Sequence, residues 1–266
     1  MPFVDNHGVR IHYETEGHGV PVVLQYGQYF PLEIWYEHHY VRVMKDDCRL
    51  ILVDARGHGD SDKPHDPAAY RIKLMASDIV TVLDELGLET AHYMGYSSGG
   101  ALGFALVQYA PERCASLLLG GTHPYSEPDS DPDSGDWHAE RIKSLEQQTT
   151  ADFVAGLEDF LASQGLPPLS PRMKTAMMKH DTRALIAWHR AVRNEAGLLF
   201  EDVLGTISVP CLLYAGENSE EHDLAQRAAR EIRGAAFVGI PNGGHLEGGT
   251  WIDILWPHIR QIVKRT

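Results

Sequence analysis

Residues Gly95–Gly99 read Gly-Tyr-Ser-Ser-Gly. This is the G-x-S-x-G spacing in which a serine sits on a sharp turn between a strand and a helix. The backbone at such a turn is strained, and side chains two residues before and after the serine would collide with the crossing chain. Ser97 has Gly95 and Gly99 at those places, whereas Ser98 has Tyr96 two residues before it. Ser97 is therefore the candidate nucleophile. A serine hydroxyl is a poor nucleophile at neutral pH and needs a base within hydrogen-bond reach. Of fifteen histidines, His245 is best placed, in the loop Pro-Asn-Gly-Gly-His-Leu-Glu-Gly-Gly after the last predicted strand. Glycines there let an imidazole reach across the strand ends. A Gly/Ser-rich loop capping a core helix would carry the same pentapeptide, so its surroundings must decide.

Those surroundings alternate. Buried-strand runs are predicted at Pro21–Gln25, Arg49–Asp54, Ala91–Met94 and Ala115–Gly120, after a half-exposed antiparallel strand at Val9–Thr15. Helical patterns lie between them at Glu33–Met44, Leu74–Leu86 and Ser98–Tyr109. Such alternation means a parallel sheet covered by helices on both faces. From 122 to 205 no buried strand run occurs. An acidic Pro/Ser/Gly loop, Ser126–Asp136, precedes helical patterns at His138–Glu146, Asp152–Gln164, Pro171–His180 and Arg183–Val192. The sheet resumes at Pro210–Ala215 and Ala236–Ile240, with helices at Leu224–Ile232 and Ile252–Val263. The expected organisation is a core from 1–121 and 206–266 with an α-helical cap inserted at 122–205.

Composition narrows the partners. A net charge of −14 argues against nucleic acid and anionic membrane. Cys48, Cys114 and Cys211 are odd in number and scattered, and read as buried thiols in a reducing compartment. Neither a signal-peptide pattern nor an apolar run of membrane-spanning length occurs, so a soluble cytoplasmic protein acting on a small molecule is expected. His123, His138, His180 and His189 form no H-x-x-x-H or H-x-H pair, and no metal site is expected. No G-x-G-x-x-G opens a helix after a strand, and no cofactor is expected. Trp137, Trp188 and Phe160 are expected to pack the cap rather than bind substrate.

Further motifs make the chain resemble the α/β-hydrolases over nearly its whole length. Asp54-Ala55-Arg56-Gly57-His58-Gly59-Asp60-Ser61 resembles that family's D-x-R-G-x-G-x-S turn, and Gly243-Gly244-His245 its catalytic-histidine loop. The resemblance implies an α/β fold with a mostly parallel sheet and a nucleophile, acid, histidine order, which Ser97 and His245 match. It makes His58 a structural residue. Two positions depart from the family pattern. The His-Gly that usually follows the first parallel strand is Tyr26-Gly27, so the oxyanion hole is expected from the N–H groups of Gln28 and Ser98. Tyr26 either points its hydroxyl into the pocket or packs in the histidine's place; Tyr96 is expected beside the substrate. The usual G-x-x-D acid is also missing, because Gly216 is followed at that spacing by Ser219. Glu220 is the expected acid, ahead of Glu217 and Asp223.

The expected activity is hydrolysis of a small ester or lactone through an acyl-enzyme at Ser97. Haloalkane dehalogenases and epoxide hydrolases share the resemblance but use aspartate as nucleophile. A carbon–carbon bond hydrolase or cofactor-free perhydrolase would use the same Ser–His machinery. A receptor-like ligand-binding protein on a degenerate hydrolase fold is the alternative from a different class.

Overall fold

The computed structural model describes residues 2–125, 136–195, 200–246 and 251–264. The sequence-predicted acidic loop lies outside the described residues except for Asp136. The chain begins with an antiparallel pair, β1 (Phe3–Asn6) and β2 (Val9–Gly17), followed by β3 (Val20–Gln25). Two short helices, α1 (Glu33–Glu37) and α2 (Tyr40–Met44), stand where one helix over Glu33–Met44 is predicted. His39 separates them. Its φ of 64° is left-handed, and a right-handed helix cannot run through it. There follow β4 (Cys48–Val53), α3 (Ile72–Glu85), β5 (Ala91–Tyr96), α4 (Ser98–Tyr109) and β6 (Cys114–Gly120).

Four helices occupy the described residues after β6: α5 (Trp137–Leu145), α6 (Thr150–Ser163), α7 (Pro171–Met177) and α8 (Thr182–Asn194). Their starts are chemically marked. Asp136, Thr149, Ser170 and Asp181 each accept a backbone N–H of the first turn, and Thr149 with Asp152 completes a capping box. The chain then returns through β7 (Cys211–Gly216), α9 (His222–Glu231), β8 (Ala236–Ile240) and α10 (Ile252–Val263). No helix among the described residues is long and apolar enough to cross a membrane.

All eight strands form one sheet in the order β1-β2-β4-β3-β5-β6-β7-β8, parallel from β4 through β8. Period-two alternation sorts the strand residues onto two faces. Val23, Ile51, Tyr93, Leu117, Leu119 and Leu213 face one way, into a core completed by α3, α4 and α9. Val22, Leu24, Leu50, Leu52, Met94, Leu118 and Leu212 face the other, with α1, α2 and α10. Both faces are thus apolar, which is why the inner strands read as continuous runs. Cys48, Cys114 and Cys211 are free and buried, and burial pushes their thiols up to about 11, 12 and 12.

The turn after β4 is held by buried charges. Arg56 donates from Nε to Asp78 Oδ2 at 2.7 Å and from Nη2 to Asp78 Oδ1 at 2.5 Å, tying the turn to α3. Asp54 accepts the backbone N–H of Leu32 at 2.8 Å and of Asp60 at 2.9 Å, and lies 2.7 Å from His12 Nδ1. The Leu32 bond matters for the site. It anchors the far end of the loop that leaves β3 and passes Ser97.

Candidate active site

Ser97 joins β5 to α4 with φ 56° and ψ −123°, a conformation costing a non-glycine residue roughly 1–3 kcal/mol. The surrounding chain enforces it. Ser97 N–H donates to Gly120 O at 2.8 Å, and its carbonyl accepts from Ala101 N at 2.9 Å. A Cβ on Gly95 would stand 2.2 Å from Gly99 O, and one on Gly99 would stand 2.3 Å from Gln25 O. Both obstacles are backbone and cannot swing aside. Gly95→Ala is accordingly expected to destabilise the fold by about 1–3 kcal/mol or more, the usual range for overpacking. Urea unfolding measures it, and an unchanged midpoint would contradict the close approach.

His245 Nε2 lies 3.1 Å from Ser97 Oγ. Its other ring nitrogen, Nδ1, lies 3.0 Å from Glu221 Oε1, an ion-pair distance that falls outside hydrogen-bond alignment. Loose alignment of this kind is common in sites without bound substrate. Burial alone would raise the Glu221 carboxyl. The adjacent His245 ring and its charge when protonated, with the Ser219 hydroxyl, outweigh burial and hold it at about 2. Glu221 is thus an anion at neutral pH.

The residue beside His245 is therefore Glu221, not the expected Glu220. The reason lies in the winding of the loop after β7. Ser219 N–H donates to Gly216 O at 3.0 Å and His222 N–H to Ser219 O at 3.1 Å, so two tight turns run directly into α9. Glu220 sits on the outside of the second turn, exposed, while Glu221 turns inward. Glu217 is exposed as well, and the Asp223 side chain is 96% exposed and lies against His222. Ser219, in the place where the family pattern puts aspartate, donates its hydroxyl to Glu221 Oε2. No sequence signal separates Glu221 from Glu220: both lie in the turn before α9, which starts at His222.

A Cβ on Gly27 would stand 2.6 Å from Ser97 Cβ, so the loop after β3 passes directly over the serine. Gln28 follows. Its backbone N–H has no acceptor among the described residues. Ser98 opens α4, where the first N–H groups of a helix have no intrahelical partner. Two donors therefore flank Ser97 from separate elements.

The two tyrosines expected near substrate are packed instead. Tyr26 stacks on Tyr96 at 5.1 Å between ring centroids and meets Trp35 and Phe30 edge-on at 5.2 and 5.6 Å. Of the two roles open to Tyr26, these contacts are those of packing. Tyr96 is 2% exposed, and its hydroxyl donates to His245 O at 2.6 Å. Its hydroxyl thereby braces the loop that carries His245.

Histidines that sequence spacing left aside converge on the same loop. His58, expected to be structural, accepts Tyr29 N–H at 3.0 Å. His189 on α8 lies 2.7 Å from Gln28 Nε2 and 2.8 Å from the Tyr29 hydroxyl, and its Nδ1 is 3.0 Å from His138 Nδ1. These contacts cross about 160 residues of sequence, and no motif announces them. Of the aromatics expected to pack the helices, Trp188 is buried. Trp137 and Phe160 are not, at 54% and 47% exposure. Trp137 opens α5 and meets the rings of His138 and His189 at 5.0 and 5.3 Å between centroids, while the buried stripe of α6 runs through Phe153, Val154 and Leu161 and leaves Phe160 outside.

Comparison with known proteins bears on this arrangement. A family model described as alpha/beta hydrolase fold matches residues 20–246. The chain is 30% identical over 219 residues to a Bacillus subtilis protein named "Putative 2-succinyl-6-hydroxy-2,4-cyclohexadiene-1-carboxylate synthase", covering 76% of each. It is 32% identical to epoxide hydrolase 3 of Siraitia grosvenorii, over 43% of this chain and 36% of that one. The structure of the enol-lactonase from Burkholderia xenovorans superposes with a TM-score of 0.81, covering 99% of this chain and all of the other at 20% identity.

Proposed function

This chain belongs to the α/β-hydrolase family and is a hydrolase, and from that premise we propose that it cleaves a small ester or lactone through an acyl-enzyme at Ser97. The observation that carries the proposal is the continuous line Ser97 Oγ, His245, Glu221, with separations of 3.1 and 3.0 Å. In this reading Ser97 Oγ attacks the carbonyl carbon as its proton passes to His245 Nε2. The imidazolium gains from the Glu221 anion 3.0 Å from Nδ1. As the tetrahedral adduct collapses, His245 returns the proton to the departing alkoxide oxygen. A water molecule then repeats the sequence on the acyl-enzyme, and the chemistry requires no cofactor.

The N–H groups of Gln28 and Ser98 stabilise the charge that develops on the carbonyl oxygen, a role independent of the histidine that this chain lacks at Tyr26. We assign the described residues of the interval 122–205 to a cap over this end of the sheet, supported by the bonds from His189 to Gln28 and Tyr29. The buried free thiols suit a reducing, cytoplasmic setting. The receptor-like alternative rests on the missing G-x-x-D acid and the Tyr26 substitution, and the place of Glu221 beside His245 weighs against the first of these. Names among the relatives span a synthase, an epoxide hydrolase and a lactonase, so they do not fix a substrate.

The test is steady-state turnover of p-nitrophenyl acetate and of a small aliphatic lactone. The expected result is hydrolysis of at least one, lost in Ser97→Ala. No hydrolysis of either by folded wild-type protein would remove the ester and lactone reading.

A further inference from the structure

We infer that His180 and His189 are positioning residues that lock the loop Gly27–Tyr29, and with it the Gln28 N–H; the inference rests on reading that N–H as an oxyanion donor. The starting observation is backbone strain. Tyr29 has φ 73°, in the left-handed region that a bulky side chain rarely enters. Such a residue persists only where its surroundings over-determine it.

Its surroundings do so at every polar group. Tyr29 N–H donates to His58 Nε2 at 3.0 Å, and Tyr29 O accepts from His180 Nε2–H at 2.5 Å. The Tyr29 hydroxyl donates to His189 Nε2 at 2.8 Å and itself accepts from Arg141 Nε–H at 3.0 Å. Three histidines thus bind one residue. His58 comes from the turn after β4, His180 from between α7 and α8, and His189 from α8.

The protons on this network are consistent. The Tyr29 hydroxyl and the Gln28 side-chain amide share the single lone pair of His189 Nε2, so its proton is on Nδ1, from which it donates to His138 Nδ1. His58 Nδ1 lies 3.2 Å from Arg56 O and donates to it, which leaves its Nε2 free to accept. Burial holds both His180 and His189 down to about 3, neutral as the pattern requires. His189 therefore grips two successive residues of the loop through one nitrogen. One of them carries the proposed oxyanion donor, and the other carries the strain.

Without His189, the Tyr29 hydroxyl loses its acceptor and keeps only the Arg141 donor, and Tyr29 relaxes toward negative φ, turning the peptide that joins it to Gln28. A donor must stand within about 2.7–3.1 Å of the developing oxyanion, and shifts near 1 Å cost on the order of a hundredfold in rate. The effect falls on the transition state and not on ground-state binding. The other arrangement compatible with these contacts, simple core packing, predicts lost stability without a selective loss of rate.

The experiment compares His189→Leu, His180→Leu and His189→Gln with wild type on p-nitrophenyl acetate, and measures amide hydrogen exchange across residues 26–32 in each. His189→Leu and His180→Leu are expected to lower kcat at least tenfold with KM within threefold. Exchange in the segment should speed at least tenfold. His189→Gln, whose amide oxygen can still accept from the Tyr29 hydroxyl, should recover at least a third of wild-type kcat. Tyr29→Phe, which removes only that hydroxyl, serves if the leucine variants do not fold, and should show the same kcat-only loss in smaller degree. Faster exchange with unchanged kcat overturns the positioning role, as does exchange within twofold of wild type. If wild-type protein turns over no ester, the reading of the site fails separately, and the exchange result alone decides whether these histidines hold the loop.

Discussion

Ser97→Ala is expected to abolish both ester turnover and covalent labelling by a fluorophosphonate, while Ser98→Ala keeps the labelling. The two serines are adjacent, so the contrast tests geometry rather than composition. Ser97 occupies the strained turn, with Gly27 packed over it and its Oγ 3.1 Å from His245 Nε2. Ser98 is already the first residue of α4, and the role proposed for it needs only its backbone N–H, which alanine retains. Losing the nucleophile of a complete triad costs on the order of 10⁶ in kcat. Losing the neighbouring side chain should cost less than about tenfold. Mass spectrometry of the labelled protein reads the site directly. Adduct formation that survives in Ser97→Ala and disappears in Ser98→Ala would reverse the assignment.

That the serine is legible in sequence follows from hard contacts. Gly95 and Gly99 are where they are because backbone oxygens stand 2.2 and 2.3 Å from where their Cβ atoms would be. The same holds for the sheet. Residues such as Leu118, flanked by Leu117 and Leu119, face opposite cores, and strands buried on both faces must be apolar throughout. β1 escaped because Phe3–Asn6 is an edge strand, largely exposed, with no apolar run to betray it. The break between α1 and α2 escaped because a single left-handed residue, His39, carries it. His189 and Tyr29 are of another kind. Their contact depends on how helices far along the chain lie over a loop near its start, and nothing local to either encodes it.

Glu221 lay between these cases. The expected Glu220 was one residue away, and no periodicity separates the two, because the loop is two linked turns rather than a strand or helix. What separates them is the backbone bonding of Ser219 and His222, which the sequence does not display.

Glu221→Gln is expected to lower kcat at least a hundredfold, whereas Glu220→Gln stays within threefold of wild type. A carboxylate can only accept from His245 Nδ1. An amide presents a donor as well, favouring the tautomer that puts the imidazole proton on Nε2, where it cannot receive the serine's proton. Stability should change too, in a definite pH window. The folded carboxyl is held at about 2, below its ordinary 4.5. Its stabilisation is therefore present above about pH 4.5 and lost as pH falls toward 2. Glu221→Gln should then be less stable than wild type by about 1–3 kcal/mol at neutral pH, with the gap closing toward pH 2. Because Glu221 is ionised throughout the range in which such an enzyme works, the acid limb of the wild-type rate profile should belong to another group. Ser219 supplies the sharper check. Its hydroxyl meets Glu221 Oε2, so the family's usual acid position and Glu221 converge on one spot. Ser219→Asp alone would set two carboxylates in contact, of which one must take up a proton, and should slow the enzyme. In the Glu221→Gln background the same aspartate has the spot to itself, and should recover at least tenfold of the lost rate. Turnover of Glu221→Gln within threefold of wild type would remove Glu221 from the mechanism. Failure of the double variant to exceed Glu221→Gln would mean instead that the two positions reach His245 from different directions.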